Sequence, residues 1–362
     1  MSNFTLSSEI NGTNETCLTD LHWTQEMIDY QRPLLYICIV ATITHSIFWF
    51  QFMLYPSVRQ RSMQWLYAYL VTDILLLMRF FVGFIVHTMS TDCTPTKSWS
   101  LFICYFEATF DNYLNMLEVY ILLALNICRY VQIVHNRSVY ISHVKLLVCS
   151  HLIIYIFPLA AFIIQLQINW ARLRQNIGAS CDIDFTNIYA QIINVIIGFL
   201  LPILLNLIIL YLNMRHIRLT SRLGSAQHHV TAREKYNRSL VIQFLVFYAI
   251  WLILWSPNIV VYQFTSKTSS ITVIASLLNY IEIALDPVII GALDVRFQHI
   301  WRSSRRRILN ALCSEGANAR RVAPATTDMF RSSAYGRSAA SIQAKQARIL
   351  TTHSNALPAP II

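Results

Sequence analysis

Seven apolar runs, each long enough to cross a lipid bilayer, constrain the fold of this sequence most strongly. A membrane-spanning helix needs about 20 mainly apolar residues, and it satisfies its own backbone hydrogen bonds. Only 13% of the 362 residues are charged, about half the share in a typical soluble domain. We therefore predict an all-α membrane protein, a bundle of seven transmembrane helices. The predicted spans are 34–54, 64–86, 101–127, 146–168, 188–212, 240–262 and 271–293.

The distribution of basic residues predicts the orientation of these spans. One set of alternating loops, together with the tail, carries 22 of the 28 Lys and Arg residues, and the opposite side carries five. Because basic loops stay in the cytoplasm, we predict an extracellular amino terminus, a cytoplasmic tail and residence in the plasma membrane. The net charge of +10 then reflects topology and anionic lipid, and we expect no nucleic-acid partner. Three Asn-x-Ser/Thr acceptors for glycosylation lie in the predicted extracellular segment: Asn3, Asn11 and Asn14.

The chain divides into three parts. Residues 1–33 form a polar extracellular segment, 34–310 form the membrane domain, and 311–362 form a basic cytoplasmic tail predicted to be disordered. After the last span, apolar residues at helical spacing alternate with arginines, which predicts a short amphipathic helix on the inner leaflet. These apolar residues are Phe297, Ile300, Trp301 and Ile308. Cys313, at the end of this helix, is either a palmitoylation site or an idle thiol.

The third span carries charged side chains along one narrow stripe. On a helical wheel Glu107, Asp111, Glu118 and Arg129 fall within about 40° of one another, and Cys104 lies at about 60°. A charge at the centre of a membrane helix costs at least about 2.5–3.5 kcal/mol, so such residues face a bundle interior or a water-filled cavity. The stripe therefore predicts the face of this helix that points into the bundle.

The cysteines and the absence of enzyme motifs narrow the function further. Four cysteines lie in or next to predicted extracellular segments, Cys17, Cys93, Cys104 and Cys181. Their spacing alone leaves three disulfide pairings open. The sequence has no phosphate-binding glycine loop, no metal-spaced His/Cys set and no nucleophile elbow. We therefore expect that the protein is not an enzyme.

Several motifs together resemble the rhodopsin-like (class A) G-protein-coupled receptors. Cys104 begins the third span, Arg129-Tyr130 follows 25 residues later, and Cys181 lies in the next extracellular loop. Further marks occur in order along 34–310: Asp73, Pro202, Trp255 with Pro257, and Asp286-Pro287. The resemblance implies a Cys104–Cys181 disulfide, with Cys17 and Cys93 as candidates for a second one.

The resemblance also implies roles in signalling to a heterotrimeric G protein. Arg129 and Tyr130 would meet the G protein, and Trp255 would couple the ligand pocket to the swing of the sixth helix. The residues assigned to coupling and switching are Arg129, Tyr130, Trp255, Pro257, Asp286, Pro287 and Pro202. The chain departs from the family at Cys128, where an acid usually precedes the Arg. This departure raises the hypothesis of a higher basal activity.

A second implied site lies near the extracellular end. Asp111 occupies the position where biogenic-amine receptors pair a carboxylate with the ligand ammonium, and Tyr280 matches a supporting tyrosine. Arg79 could neutralise either Asp111 or Glu107, so an amine ligand and a peptide ligand both stay open. Retinal chemistry is disfavoured because Tyr280 stands where a retinal lysine would be needed. The candidate pocket residues are Asp111, Glu107, Arg79, Tyr280 and Trp255.

Four carboxylates are expected to meet in the middle of the membrane. By resemblance Asp73, Glu118, Glu282 and Asp286 surround a sodium site, and Glu282 and Asp286 share one helix face. Four carboxylates cannot all ionise in so small a space. We expect either shared protons or a sodium ion held by Asp73 and Glu118, and no other cofactor. The acid-rich core leaves one alternative function open, a proton- or ion-coupled transporter.

Overall fold

The computed structural model describes most of the membrane domain. The described residues are 21–59, 63–89, 97–134, 140, 144–175, 180–225, 232–264, 270–294, 296–303 and 305–306. The chain falls into two compact units, 1–302 and 303–362. Asn3, Asn11, Asn14, Cys17, Cys93, Ile308 and Cys313 lie outside the described residues, and the predictions for them stay predictions.

Seven long helices make up the bundle, as the apolar runs predict. All seven are long and apolar enough to cross a membrane. The fifth helix consists of three consecutive segments, the middle one a π-helix. The bounds are α1 Gln25–Leu54, α2 Gln64–Met89, α3 Lys97–Val134, α4 Val144–Gln167, α5 Ile188–Val195 with Ile196–Leu200 and Leu201–Ser225, α6 Ala232–Phe264 and α7 Ser270–Leu293.

The outer surface of the bundle is apolar, as a lipid environment requires. On α4, for example, Leu146, Val148, Leu152, Ile153 and Ile156 are all exposed, whereas Phe162 is buried. A helix that is apolar on all faces belongs in a large core or in a membrane. Because the exposed faces here are apolar and the interior contains charged side chains, the bundle is a multi-pass membrane protein.

Several helices differ from their predicted bounds, and for α1 the cause is local. Helix α1 begins at Gln25 rather than at 34, because the hydroxyl of Thr24 accepts a hydrogen bond from the Met27 amide and caps the helix. Pro33 lies in the third turn of α1, where it removes the backbone hydrogen bond to the carbonyl of Asp29, a loss that membrane helices tolerate. Three helices extend beyond their predicted spans: α3 reaches Val134, α5 reaches Ser225 and α6 starts at Ala232.

Pro202 explains the π-helical segment of α5. Proline lacks an amide hydrogen, and its ring crowds the carbonyl four residues earlier, that of Gly198. The turn before Pro202 widens accordingly, and the amide of Leu201 donates to the carbonyl of Ile196, five residues back. The proline that the sequence singled out therefore changes the local pitch of the helix.

A two-stranded hairpin connects α4 to α5, an element that the prediction of an all-helical chain omitted. Strand β1, Ala171–Gln175, pairs antiparallel with β2, Cys181–Phe185. Cys181 and Ile183 pack with Cys104 and Phe162 in a small apolar cluster. This cluster attaches the hairpin to one end of the bundle, which we name the disulfide end.

The predicted helix after the seventh span is present at 296–303 and 305–306. Phe297 stacks on Phe48 of α1 with ring centroids 4.8 Å apart. The indole nitrogen of Trp301 donates to Gln51 at 2.8 Å. Gly291 leaves room for this ring, because a Cβ there would lie 2.7 Å from it. These contacts attach the segment to α1 at the opposite end of the bundle.

Candidate functional site

The disulfide predicted from the family resemblance is confirmed. Cys104, near the start of α3, is bonded to Cys181 at the start of β2. Both cysteines are buried. The bond closes a loop with a sequence separation of 77 residues and fixes the hairpin to the helix that carries the charged stripe.

A sealed acid–base pair lies directly beneath this disulfide. The Nε2 atom of His87 is 2.6 Å from Oε1 of Glu107, and the two side chains are 1% and 4% exposed. The other carboxylate oxygen of Glu107 accepts from the amide of Cys181 at 3.4 Å. Gly83 leaves room for this pair, because a Cβ at that position would lie 2.7 Å from Glu107 Oε1 and would displace the carboxylate.

The hydrogen bonds of His87 determine where its protons lie. Its Nδ1 atom contacts the backbone carbonyl of Leu21, and a carbonyl only accepts, so Nδ1 carries a hydrogen. A second proton therefore lies between Nε2 and Glu107, either as imidazolium with carboxylate or as imidazole with carboxylic acid. In both forms the pair binds one proton more than a neutral histidine with an ionised glutamate.

The chain just before α1 covers this pair. Trp23 is 3% exposed, and its ring stacks on His87 with centroids 4.7 Å apart. Its amide donates to the His87 carbonyl at 3.2 Å. The sequence pattern did not single out Trp23 or His87, although a histidine directly after the second predicted span is a signal that could have found the latter.

A second acid–base pair in the same half of the bundle is partly open. Arg79 Nη1 lies 3.0 Å from Oδ1 of Asp111, with side-chain exposures of 16% and 22%. The sequence left Arg79 free to neutralise either Asp111 or Glu107, and the structure pairs it with Asp111. Tyr280, 6% exposed, borders the pair and packs its ring against Phe80 at 5.2 Å.

The four acids converge in the middle of the bundle around a tyrosine. Asp73, Glu118 and Glu282 are 0% exposed, and Asp286 is 1% exposed. The hydroxyl of Tyr69 is 2.5 Å from Glu282 Oε1 and also contacts Asp286 Oδ2. Tyr69 precedes Asp73 by one helical turn, a spacing that could have assigned it to this cluster.

The contacts of Tyr69 require protons in the cluster. A hydroxyl donates one hydrogen, so only one of its two carboxyl contacts can be a phenol donation. The other contact needs a carboxyl group that carries its own proton. Both oxygens of Asp73 and both of Glu118 are buried and have no partner at normal hydrogen-bond geometry among the described residues, although the two carboxyl groups lie close enough to each other to interact. His45 Nε2 lies 3.8 Å from Asp73.

Stacked aromatic rings lie below the open pair. Trp255 and Trp251 are both 0% exposed, with ring centroids 4.6 Å apart. Phe199, from the π-helical segment of α5, stacks on the other side of Trp255 at 5.7 Å. Pro257 lies within α6 two residues after Trp255. The predicted switch residues Trp255 and Pro257 therefore connect α5 and α6 inside the bundle.

Arg129 is buried at the end opposite the disulfide, which we name the arginine end. It is 3% exposed, and its Nη2 atom lies 3.0 Å from the sulfur of Met63. The guanidinium also lies over the ring of Phe244, 5.1 Å from the centroid, and contacts Gln132 at 3.4 Å. Tyr130 beside it is half-buried. The side chains of Met63, Phe244 and Gln132 carry no charge.

A family comparison identifies the class of protein. The chain matches the model of the 7 transmembrane receptor (rhodopsin family) over residues 15–289. The crystal structure of squid rhodopsin has a TM-score of 0.60 to this chain at 13% sequence identity, covering 88% of this chain and 92% of that chain. No curated protein matches the chain. The family is one of receptors rather than enzymes, and this chain belongs to the rhodopsin family of seven-transmembrane receptors.

Proposed function

We propose that this protein binds an extracellular ligand at the disulfide end and activates a heterotrimeric G protein at the arginine end. One observation carries the proposal. A single face of α3 bears the disulfide, the ion-paired Asp111, the buried Glu118 and the buried Arg129. A displacement of α3, or of the helices packed against it, therefore couples the ligand site at the disulfide end to the G-protein site at the arginine end. Membership of a receptor family favours this function over the transporter alternative.

The proposed ligand is a peptide or an amine-like molecule that enters between the helix halves at the disulfide end. Asp111, Arg79 and Tyr280 border this space, and Trp255 forms its buried floor. Glu107 is paired with His87 and covered by Trp23, so we assign it a structural role at the disulfide end and not a role in the ligand pocket.

The proposed transmission step is a swing of α6 about Pro257. A proline inside a helix removes one backbone hydrogen bond and creates a bend. Trp255, stacked between Trp251 and Phe199, transfers a displacement at the pocket to α5 and α6. Pro202 follows the π-helical turn of α5. Pro287, directly after Asp286, removes a backbone hydrogen bond inside α7. Movement of α6 carries Phe244 away from Arg129 and frees this side chain, with Tyr130, for the G protein.

The residue before Arg129 supports a raised basal activity. Cys128 stands where the family usually has an acid, so the neighbouring position contributes no carboxylate that would hold the guanidinium in its inactive place. We expect Cys128→Asp to lower ligand-free nucleotide exchange on G proteins at least about fivefold, since an adjacent carboxylate would stabilise the inactive position of Arg129. The assay uses purified receptor in nanodiscs with a panel of G proteins.

Cys128→Asn is the matched control, with the shape of Asp and no charge. If Asn lowers exchange as much as Asp does, the charge argument is wrong. Wild-type exchange equal to the rate with empty nanodiscs for every G protein, and no exchange in the presence of any bound ligand, would contradict the proposed function itself.

We further propose that the buried acids hold shared protons or a sodium ion at Asp73 and Glu118. The two neighbouring carboxyl groups could share a proton or hold an ion between them. No group of three or more His, Cys, Asp or Glu side chains in the described chain is arranged to hold a metal ion, so sodium would need further oxygen ligands beside these two carboxylates. Protons are therefore the simpler occupant.

Sodium dependence distinguishes these two occupants. If sodium binds at Asp73, replacing potassium by sodium at constant ionic strength raises the melting temperature of the wild type by several degrees. Asp73→Asn abolishes this rise. Thermal unfolding in nanodiscs measures both. Equal melting temperatures in the two salts would leave protons as the occupant.

We also propose the plasma membrane as the location, with the amino terminus outside and the tail contacting inner-leaflet lipid. Under this topology Asn3, Asn11 and Asn14 carry glycans, and Cys313 is available for palmitoylation. Digestion of intact cells with a glycosidase is expected to reduce the mass of the wild type. Asn3→Gln/Asn11→Gln/Asn14→Gln removes this shift. A shift that persists in the triple variant would contradict the proposed orientation.

A further inference from the structure

Two acid–base pairs lie one turn apart on α3, and they differ in accessibility. The His87–Glu107 pair is sealed, at 1% and 4% exposure, beneath Trp23. The Arg79–Asp111 pair retains 16% and 22% exposure. The His87–Glu107 pair is therefore buried like a structural element, whereas a ligand can reach the Arg79–Asp111 pair.

The exposed part of the open pair faces the interior of the bundle. Asp111 lies on the stripe of α3 that also carries the buried Cys104, Glu107 and Glu118. Arg79 meets Asp111 from α2 on the same side. Lipid contacts the opposite faces, where Phe102 and Tyr105 are exposed. The accessible surface of the pair therefore borders the space between the helices, where we propose that the ligand enters.

A ligand with a single charge is poorly suited to this pair. An amine that takes Asp111 leaves the Arg79 guanidinium without its carboxylate, next to a new positive charge. An acid that binds Arg79 leaves the Asp111 carboxylate without its guanidinium, next to a new negative charge. Leaving one partner of a partly buried ion pair without its counter-charge is unfavourable, because water compensates it only in part. A ligand with both charges avoids this, because it exchanges one ion pair for two.

We propose that the ligand is a zwitterion of the amino acid class, with its ammonium group on Asp111 and its carboxylate on Arg79. This rests on the proposed receptor function and names the ligand chemistry of that site. Arginine is suited to the role because its planar guanidinium binds a carboxylate through two parallel hydrogen bonds. The phenol of Tyr280 borders the pair and supplies a neutral hydrogen-bonding group for either charge.

Matched sets of small molecules test the proposal on the full-length receptor in nanodiscs. Each set contains an amino acid, the amine formed by its decarboxylation, and its N-acetyl derivative. The panel covers the twenty common amino acids and ω-amino acids of increasing length, with binding measured by thermal shift and calorimetry. At least one amino acid is expected to bind at least about 30-fold more tightly than both of its singly charged analogues.

Two variants then assign each charge to its partner. In Asp111→Asn the amino acid is expected to lose its advantage over the N-acetyl derivative, whose carboxylate still meets Arg79. In Arg79→Gln it is expected to lose its advantage over the amine. Arg32→Gln, in the exposed Asp29–Arg32 pair near the start of α1, is the control for net charge and leaves the preference unchanged. A general loss of stability in the variants would not produce these two opposite changes in selectivity.

Two results overturn the inference. One is an amine that binds the wild type as tightly as its parent amino acid, and the other is no binding by any amino acid at millimolar concentration. Both are binding results, so they are independent of nucleotide exchange. An amino acid that binds with the expected selectivity but never alters exchange would support the inference and contradict the proposed function.

Discussion

Replacing His87 by leucine is expected to lower the free energy of unfolding by about 3–5 kcal/mol. The substitution leaves Glu107 buried without its basic partner, and an uncompensated buried charge is strongly destabilising. It also removes the ring on which Trp23 stacks and the partner of the Leu21 carbonyl. Denaturant unfolding in mixed micelles, followed by tryptophan fluorescence, measures the change.

Two controls separate the buried charge from other effects. The double variant His87→Leu/Glu107→Leu is expected to recover most of the lost stability, because apolar side chains can replace a buried ion pair at little cost. Arg32→Leu, in a pair whose side chains are 53% and 55% exposed, should change stability by no more than about 1 kcal/mol. A double variant no more stable than His87→Leu would show that the charge is not the cause.

The second large effect is expected on removal of the disulfide. Cys104→Ala/Cys181→Ala opens a loop with a sequence separation of 77 residues. On the loop-entropy model this costs about 4–5 kcal/mol. Because Cys181 also donates its amide to Glu107, the loss weakens the sealed pair as well. The measurement is the same unfolding assay under non-reducing conditions.

Cys149→Ala is the matched control, since Cys149 is a free, exposed cysteine on α4. Its effect is expected to stay within about 0.5 kcal/mol. A double variant of Cys104 and Cys181 that loses less than about 1 kcal/mol would contradict the stabilising role of the bond.

The apolar runs predicted the helices well because each span is a local property of the chain. A run of about 20 apolar residues can satisfy its backbone in lipid only as a helix. The interior face of α3 was predictable for the same reason, since Glu107, Glu118 and Arg129 fall on one side at helical spacing and are all buried. The hairpin of β1 and β2 was not predicted. Its strands are only five residues each, and although Cys181–Phe185 alternates apolar and polar residues, so short a run is a weak strand signal.

The partners within the site were less predictable. Tyr69 lies inside the second predicted span and His87 directly after it, and at both positions the sequence pattern is equally consistent with an ordinary packed residue. The structure gives Tyr69 two carboxyl contacts and gives His87 both Glu107 and the Leu21 carbonyl. The contact to Leu21 comes from outside the helices, where no periodicity exists to guide a prediction.

The sequence alone determined that seven helices cross a membrane and which face of α3 points inward, because both follow from local apolar patterning and the cost of a charge in lipid. Only the tertiary structure decided that Arg79 takes Asp111 and that His87 takes Glu107. These pairings depend on the relative height and rotation of α2 and α3, which neither helix encodes in its own periodicity. The physical reason is that a charge must face the interior wherever it lies, but its partner is set by packing between helices.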